Sequence, residues 1–229
     1  MAQNRWRPGR IGRWGVIALL AAVVLASGQY RAPARTPTTQ VNHEILAVPR
    51  GSPSQISALF RSEEWSGAAH VSIDVEAGWE VTVFLKHDDE NLYLAFRGVE
   101  HGGKRLFPEM LIDPEARRGT EWSPGQMWLH VADNLCEGNG EYNVYEHHGV
   151  FQCAHTKRGW EANNPPENRD VIEVRISFAK MGISEPGGRA VGLALDVTDA
   201  TGTTRQIFRY WPGTAQIARP STWGTAIFE

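Results

Sequence analysis

Residues 79–99 read WEVTVFLKHDDENLYLAFRGV. Val81, Val83 and Leu85 recur every second residue, the period that puts side chains on one face of a strand. Asp88-Asp89-Glu90-Asn91 then supplies turn chemistry. The returning segment carries Leu92, Leu94 and Phe96 on one face, with Tyr93 and Ala95 on the other. A strand apolar on both faces belongs at the centre of a sheet covered on both sides. This hairpin therefore predicts a β-sheet with a second layer against it.

The same texture continues on both sides of the hairpin. AHVSIDV (69–75), PEMLIDP (108–114), GQMWLHVAD (125–133), YNVYEH (142–147), VIEVRISF (171–178), RAVGLALDVTD (189–199) and RQIFRYW (205–211) are short apolar runs parted by Gly, Pro, Asn and Asp. Thr225–Phe228 reads as a last strand. Only ISALFRSEEW (56–65) and FAKMGI (178–183) read as short helical turns. Many short strands between turn signals predict an all-β fold, an antiparallel β-sandwich of jelly-roll type.

Upstream of this domain the composition changes twice. Residues 1–28 carry Arg5, Arg7, Arg10 and Arg13 as their only charges. An eleven-residue apolar run, VIALLAAVVLA (16–26), follows, with small residues at Ala26-Ser27-Gly28. That run is about half of what a bilayer-spanning helix needs. The pattern predicts a signal peptide, with an uncleaved N-terminal anchor as the alternative. Residues 29–55 are Pro-rich and poor in large apolar side chains, as expected of a linker. The folded domain is then expected over 56–229, exported to a periplasmic, envelope or secreted location.

Charge narrows the partners. The chain has 23 Lys and Arg against 26 Asp and Glu. Without the four arginines of residues 1–28 the basic count falls to 19, a net charge of −7. An acidic domain is a poor match for phosphate backbones, which need clustered Lys and Arg, so no nucleic-acid partner is expected. Membrane contact is expected only through the N-terminal segment. The two cysteines, Cys136 and Cys153, are most simply a disulfide in an oxidising compartment. Closing that loop would constrain the unfolded chain by roughly 3 kcal/mol. His147, His148 and His155 lie near in sequence, but no zinc-type spacing joins them.

Five segments in order resemble the family 9 carbohydrate-binding modules and the wider DOMON-like group. They are ISALFRSEEWSGAAHVSI, KHDDENLYLAFR, PEMLIDP, GW with VIEVRISFAKMGI, and PSTWGTAIF. The resemblance spans about residues 56–229. Ser177-Phe178 stands where the family tends to have Pro-Phe. The resemblance implies a non-catalytic domain that binds a poly- or oligosaccharide in support of carbohydrate breakdown, with a separate glycoside hydrolase as a partner. Structural calcium is the cofactor it allows, and Asp88, Asp89, Glu90, Asp113, Asp196 and Asp199 are the acids to consider; no metal site is assigned. The group's other known use, haem binding for electron transfer, would need ligands such as Met110, Met127 and His130. Service as an accessory subunit of a glycoside hydrolase is a further alternative.

A sugar ring offers a face of C–H groups that an indole plate matches, and a rim of hydroxyls that polar side chains must meet. Seven tryptophans follow residue 28. Trp65, Trp79, Trp128 and Trp223 read as core. Trp122 in GTEWSPG and Trp160 in KRGWEANN read as stacking residues, with Trp211 beside loops as a third. Glu109, Arg97, Asn163 and Asn164 are the candidate polar contacts. No hydrolase, metalloprotease or nucleotide-binding motif occurs, and no spacing selects a catalytic carboxylate pair.

Overall fold

The computed structural model describes residues 43–132, 135–138, 152–155, 160–163, 168–199 and 208–229, with the backbone alone for 132, 135–138, 152–155 and 208. The proposed leader, most of the linker, and YNVYEH lie outside the described residues. No helix among the described residues is long and apolar enough to cross a membrane.

Two sheets pack face to face. The front sheet has the order β1-β15-β13-β7-β8-β9, with β14 pairing the far half of β13. Its strands are β1 (Ile45–Val48), β7 (Phe107–Asp113), β8 (Met127–Ala132), β9 (Leu135–Gly138), β13 (Ala190–Thr198), β14 (Phe208–Trp211) and β15 (Gly224–Phe228). The back sheet has the order β10-β11-β12-β4-β3-β2. It contains β2 (Ala69–Glu76), β3 (Trp79–His87), β4 (Asn91–Arg97), β10 (Gln152–His155), β11 (Trp160–Asn163) and β12 (Val171–Ser177). A small hairpin, β5 (Glu100–His101) with β6 (Lys104–Arg105), links the sheets. All pairings in the two sheets are antiparallel except β1 with β15. This is the all-β sandwich expected from the period-two pattern.

The pattern chooses the faces. In β3, Trp79, Val81, Val83 and Leu85 are buried between the sheets. β2, at the sheet edge, alternates strictly, with Val71, Ile73 and Val75 inward and charged or polar residues outward. β4 is central, between β12 and β3, and its second apolar face is covered as its sequence demands. Tyr93 and Ala95 lie under Trp65, Phe60 and Ile56 from the segment 51–68. That segment has no helix; it crosses the back sheet as a strap of turns.

Glu173 holds the strap. Its carboxylate, on β12 and fully buried, accepts the N–H groups of Ser57 and Ala58 at 2.7 Å and the indole N–H of Trp65 at 3.0 Å. A buried charge is tolerated where several donors meet it, as here. Asn163 reinforces the clamp by donating to the Ile56 carbonyl at 3.1 Å.

One boundary moves. Residues 45–48, inside the stretch read as linker, form β1 along β15, with Val48 in the core. Four residues are too few to show a period, so this strand was silent in the sequence.

Candidate functional site

The strap covers part of the back sheet's outer face; on the front sheet's outer face most side chains of β7, β8 and β13 are buried as well, and exposure is confined to the rim around Trp122. Alternation sends Met110 and Ile112 of β7, Met127, Leu129 and Val131 of β8, and Val191, Leu193, Leu195 and Val197 of β13 into the core. The residues between them face out. Register aligns these into cross-strand rows. One runs Tyr210, Asp196, Glu109, His130; the next carries Ala194, Leu111 and Trp128. His130 Nδ1 stands 3.1 Å from Glu109 Oε1, and the His130 ring stacks on Trp128 at 5.8 Å. Asp196 Oδ1 accepts the backbone N–H of Arg209 at 3.2 Å. Glu109, His130 and Asp196 are buried, whereas Trp128 and Tyr210 are half-buried. The polar row thus underlies the aromatic edges.

Beside these rows lies an apolar patch of Leu111, Ala194, Ala215 and Trp223, with Trp128, Tyr210 and Ile217 against it. Trp122 stands over Trp223, edge to face, with centroids 5.3 Å apart. At 37% exposure Trp122 is the tryptophan among the described residues that shows most to solvent. Its position is fixed by two loops stitched together. Trp122 Nε1 donates to the Ile217 carbonyl at 2.9 Å, Ser221 N–H donates to Gly119 O at 2.8 Å, and Arg118 bonds Thr225 Oγ1. Asp113 anchors the first loop, accepting the N–H groups of Arg117 at 2.8 Å and Glu115 at 3.3 Å and the Gln126 amide at 2.9 Å. Gly192 lies opposite Asp113, where an added Cβ would sit 3.0 Å from the Asp113 Cβ. An exposed indole held this firmly is ready for a flat ligand without reordering.

The sequence-predicted residues scatter. Trp122 belongs to the front sheet's outer side; Glu109 is on that side too but fully buried, so it offers no carboxyl to a ligand. Trp160 does not: it begins β11, faces the core opposite Ile176, and is 2% exposed. WEAN is a strand whose alternation sends Trp160 and Ala162 in and Glu161 and Asn163 out. Glu161 pairs with Arg175 and Asn163 fastens the strap, so neither can join Trp160 around a ligand. Trp211 is also in the core, opposite Leu195. Arg97 stacks its guanidinium over Phe60, 4.9 Å from the ring centroid, on the back sheet's outer face. It is on the opposite side of the sandwich from Glu109 and cannot share a ligand with it. Asn164 lies outside the described residues. Trp128 and Tyr210, the half-buried rings of these rows, were missed as site residues; the signal for Trp128 was its alternation with Met127, Leu129 and Val131.

Two cofactor expectations meet the geometry. Met110 and Met127 face the core and His130 faces outward, so neither methionine can ligate the same iron as His130. Among the described residues no group of three or more His, Cys, Asp or Glu is gathered around a cation position. Asp88 and Asp113 direct their oxygens at N–H and O–H donors, the role of turn anchors.

Two packed sheets, one outer face strapped and the other carrying a fixed aromatic rim, define a jelly-roll-like β-sandwich domain. It is the fold of the family 9 carbohydrate-binding modules. No family model matches the sequence, and no curated protein matches it. Among solved structures, a family 9 module from Caldicellulosiruptor kristjanssonii in complex with cellotriose shares 16% identity at a TM-score of 0.55, covering 81% of this chain and 94% of that one. The same module in complex with glucose gives 16% identity and a TM-score of 0.56, covering 81% and 96%. A Bacteroides uniformis protein described as carbohydrate-binding gives 13% and 0.53, covering 82% and 100%.

Proposed function

We propose that this protein is an exported, non-catalytic carbohydrate-binding protein that holds a poly- or oligosaccharide against the front sheet's outer side. It serves carbohydrate breakdown carried out by a separate glycoside hydrolase. The observation that carries the reading is Trp122, solvent-facing and locked over Trp223, in a fold shared with modules seen holding cellotriose and glucose. An indole face stacks on the C–H face of a pyranose, and Trp128 and Tyr210 extend the surface. In the polar row beneath, His130 stacks on Trp128. Glu109 and Asp196, opposite each other across β7 and β13, are fully buried and present no carboxyl to solvent, which supports binding over hydrolysis.

A glycan array on the full chain, followed by calorimetric titration of a hit, tests the reading. Trp122→Ala is expected to weaken binding about tenfold or more, as truncating an aromatic anchor does, while the thermal midpoint stays near that of the parent. An array without a hit, or a Trp122→Ala variant of unchanged affinity, would overturn the reading.

A further inference from the structure

We propose that Cys136 and Cys153 form a disulfide that fastens the front sheet to the back sheet along one lateral side of the sandwich. The sequence suggests only that two cysteines in an oxidising compartment pair; the topology says what the bond joins. β9 is the edge strand of the front sheet and β10 the edge strand of the back sheet. Backbones of these two edges approach within 8 Å, Cα to Cα. Cys136 is opposite Val131 in the β8–β9 register, and Cys153 is opposite Ala162 in the β10–β11 register. Residues directly opposite in an antiparallel pair share a face. Val131 and Ala162 both belong to the inter-sheet core. Both cysteines therefore hold inward register positions on neighbouring edges. Each strand is four residues long and has two such positions, Cys136 and Gly138 on one, Cys153 and His155 on the other. A disulfide spans Cα separations of about 4.4–6.8 Å, so the bond asks these edges to stand slightly closer than the 8 Å within which they approach.

The bond answers a structural need. Sheets in a sandwich are held by side-chain packing across the middle, and free edge strands are where they part or pair with other chains. A covalent tie at β9 and β10 closes that side and holds β8, the strand of Trp128 and His130, through its neighbour. Its formation needs an oxidant, which we take to be the disulfide of a thiol–disulfide oxidoreductase. One cysteine thiolate attacks that disulfide and expels a thiolate, giving a mixed disulfide. The second cysteine thiolate attacks the sulfur of the first, the Cys136–Cys153 bond forms, and two electrons and two protons leave with the oxidoreductase as its dithiol.

The proposal is independent of the sugar reading and is tested without a sugar. The full chain, produced by export to an oxidising compartment, is alkylated before and after reduction. It is then cleaved after glutamate, which separates the cysteines at Glu137, Glu141 and Glu146. The expected result is no reactive thiol before reduction, a monomer on a non-reducing gel, and a joined peptide pair that separates on reduction. Reductant is expected to lower the melting temperature by about 5–10 °C. The Cys136→Val/Cys153→Ala double variant should melt lower without reductant and show no further drop with it. Amide exchange should rise in β9 and β10 and not in β3 and β4. Two reactive thiols in the folded, exported protein, a disulfide-linked dimer, or a zinc ion retained by thiolates would each overturn the proposal.

Discussion

Glu173 closes the back sheet with a single carboxylate. Three N–H groups point at it, and the carboxylate itself is at zero exposure, so water does not replace a lost acceptor there. Glu173→Gln replaces an accepting oxygen with an NH2 group facing those donors. The expected cost is about 2–4 kcal/mol, read as a lower urea midpoint together with a changed Trp65 fluorescence. Asp88 is a second carboxylate set in donors. Burial pulls its titration upward, but the Tyr93 hydroxyl at 2.6 Å, the N–H groups of Glu90 and Asn91 and the nearby His87 outweigh this and hold it below the usual carboxylate range. The folded state thus favours the ionised Asp88, so its contribution is complete above about pH 4 and is lost as the pH falls through the lowered value. Burial and the same Asp88 contact push the Tyr93 phenol up to about 12. The folded state favours the neutral phenol, so that contribution is complete below pH 10 and is lost as the pH rises from 10 toward 12. Tyr93→Phe should move the onset of acid unfolding to higher pH and remove the Tyr93 share of alkaline unfolding, both followed by circular dichroism across the pH scale.

Strands written in long alternating runs were legible in the sequence. β3, β4, β7, β12 and β13 fall within a residue or two of their runs because seven to nine residues display the period and, in all but β12, Gly or Asp ends it. Trp160 was misread because its strand has four residues, and KRGWEANN looks like a loop rich in amides. Arg97 was misplaced for a different reason. Only 12 positions separate it from Glu109, yet the chain changes sheets between them by way of the β5–β6 hairpin. Proximity in sequence gave no warning that the two residues face opposite ways. Gly98 marks where that departure begins, at φ 87°. A Cβ there would meet the Glu80 carbonyl oxygen at 2.6 Å. Gly98→Ala is expected to lose about 2–3 kcal/mol, from the left-handed backbone and the clash together, measured by chemical unfolding. The site was legible only in its materials: tryptophans and acids could be counted, but the rows that assemble them come from register between strands far apart in the chain.

At the scale of the whole molecule, β1 completes the front sheet. A chain begun at residue 56, where the sequence placed the domain boundary, would leave β15 as an open edge and remove the buried Val48. It would also lose His43, whose ring is 3.1 Å from the Trp223 carbonyl, and Glu44, whose carbonyl accepts the Thr225 N–H at 2.9 Å. Such a truncation is expected to melt about 5–10 °C below one begun at residue 43, as differential scanning calorimetry would show. The parallel seam between β1 and β15 also has a mechanical meaning. Upstream chain leaves the sandwich beside Trp223, which carries the Trp122 plate. If that chain is moored and the plate grips a fibre, tension runs between neighbouring points at one end of the molecule. The load would fall first on the bonds at the near end of that seam, beside Ile45 and Thr225, and open it one bond at a time, while the bulk of the sandwich hangs slack behind it.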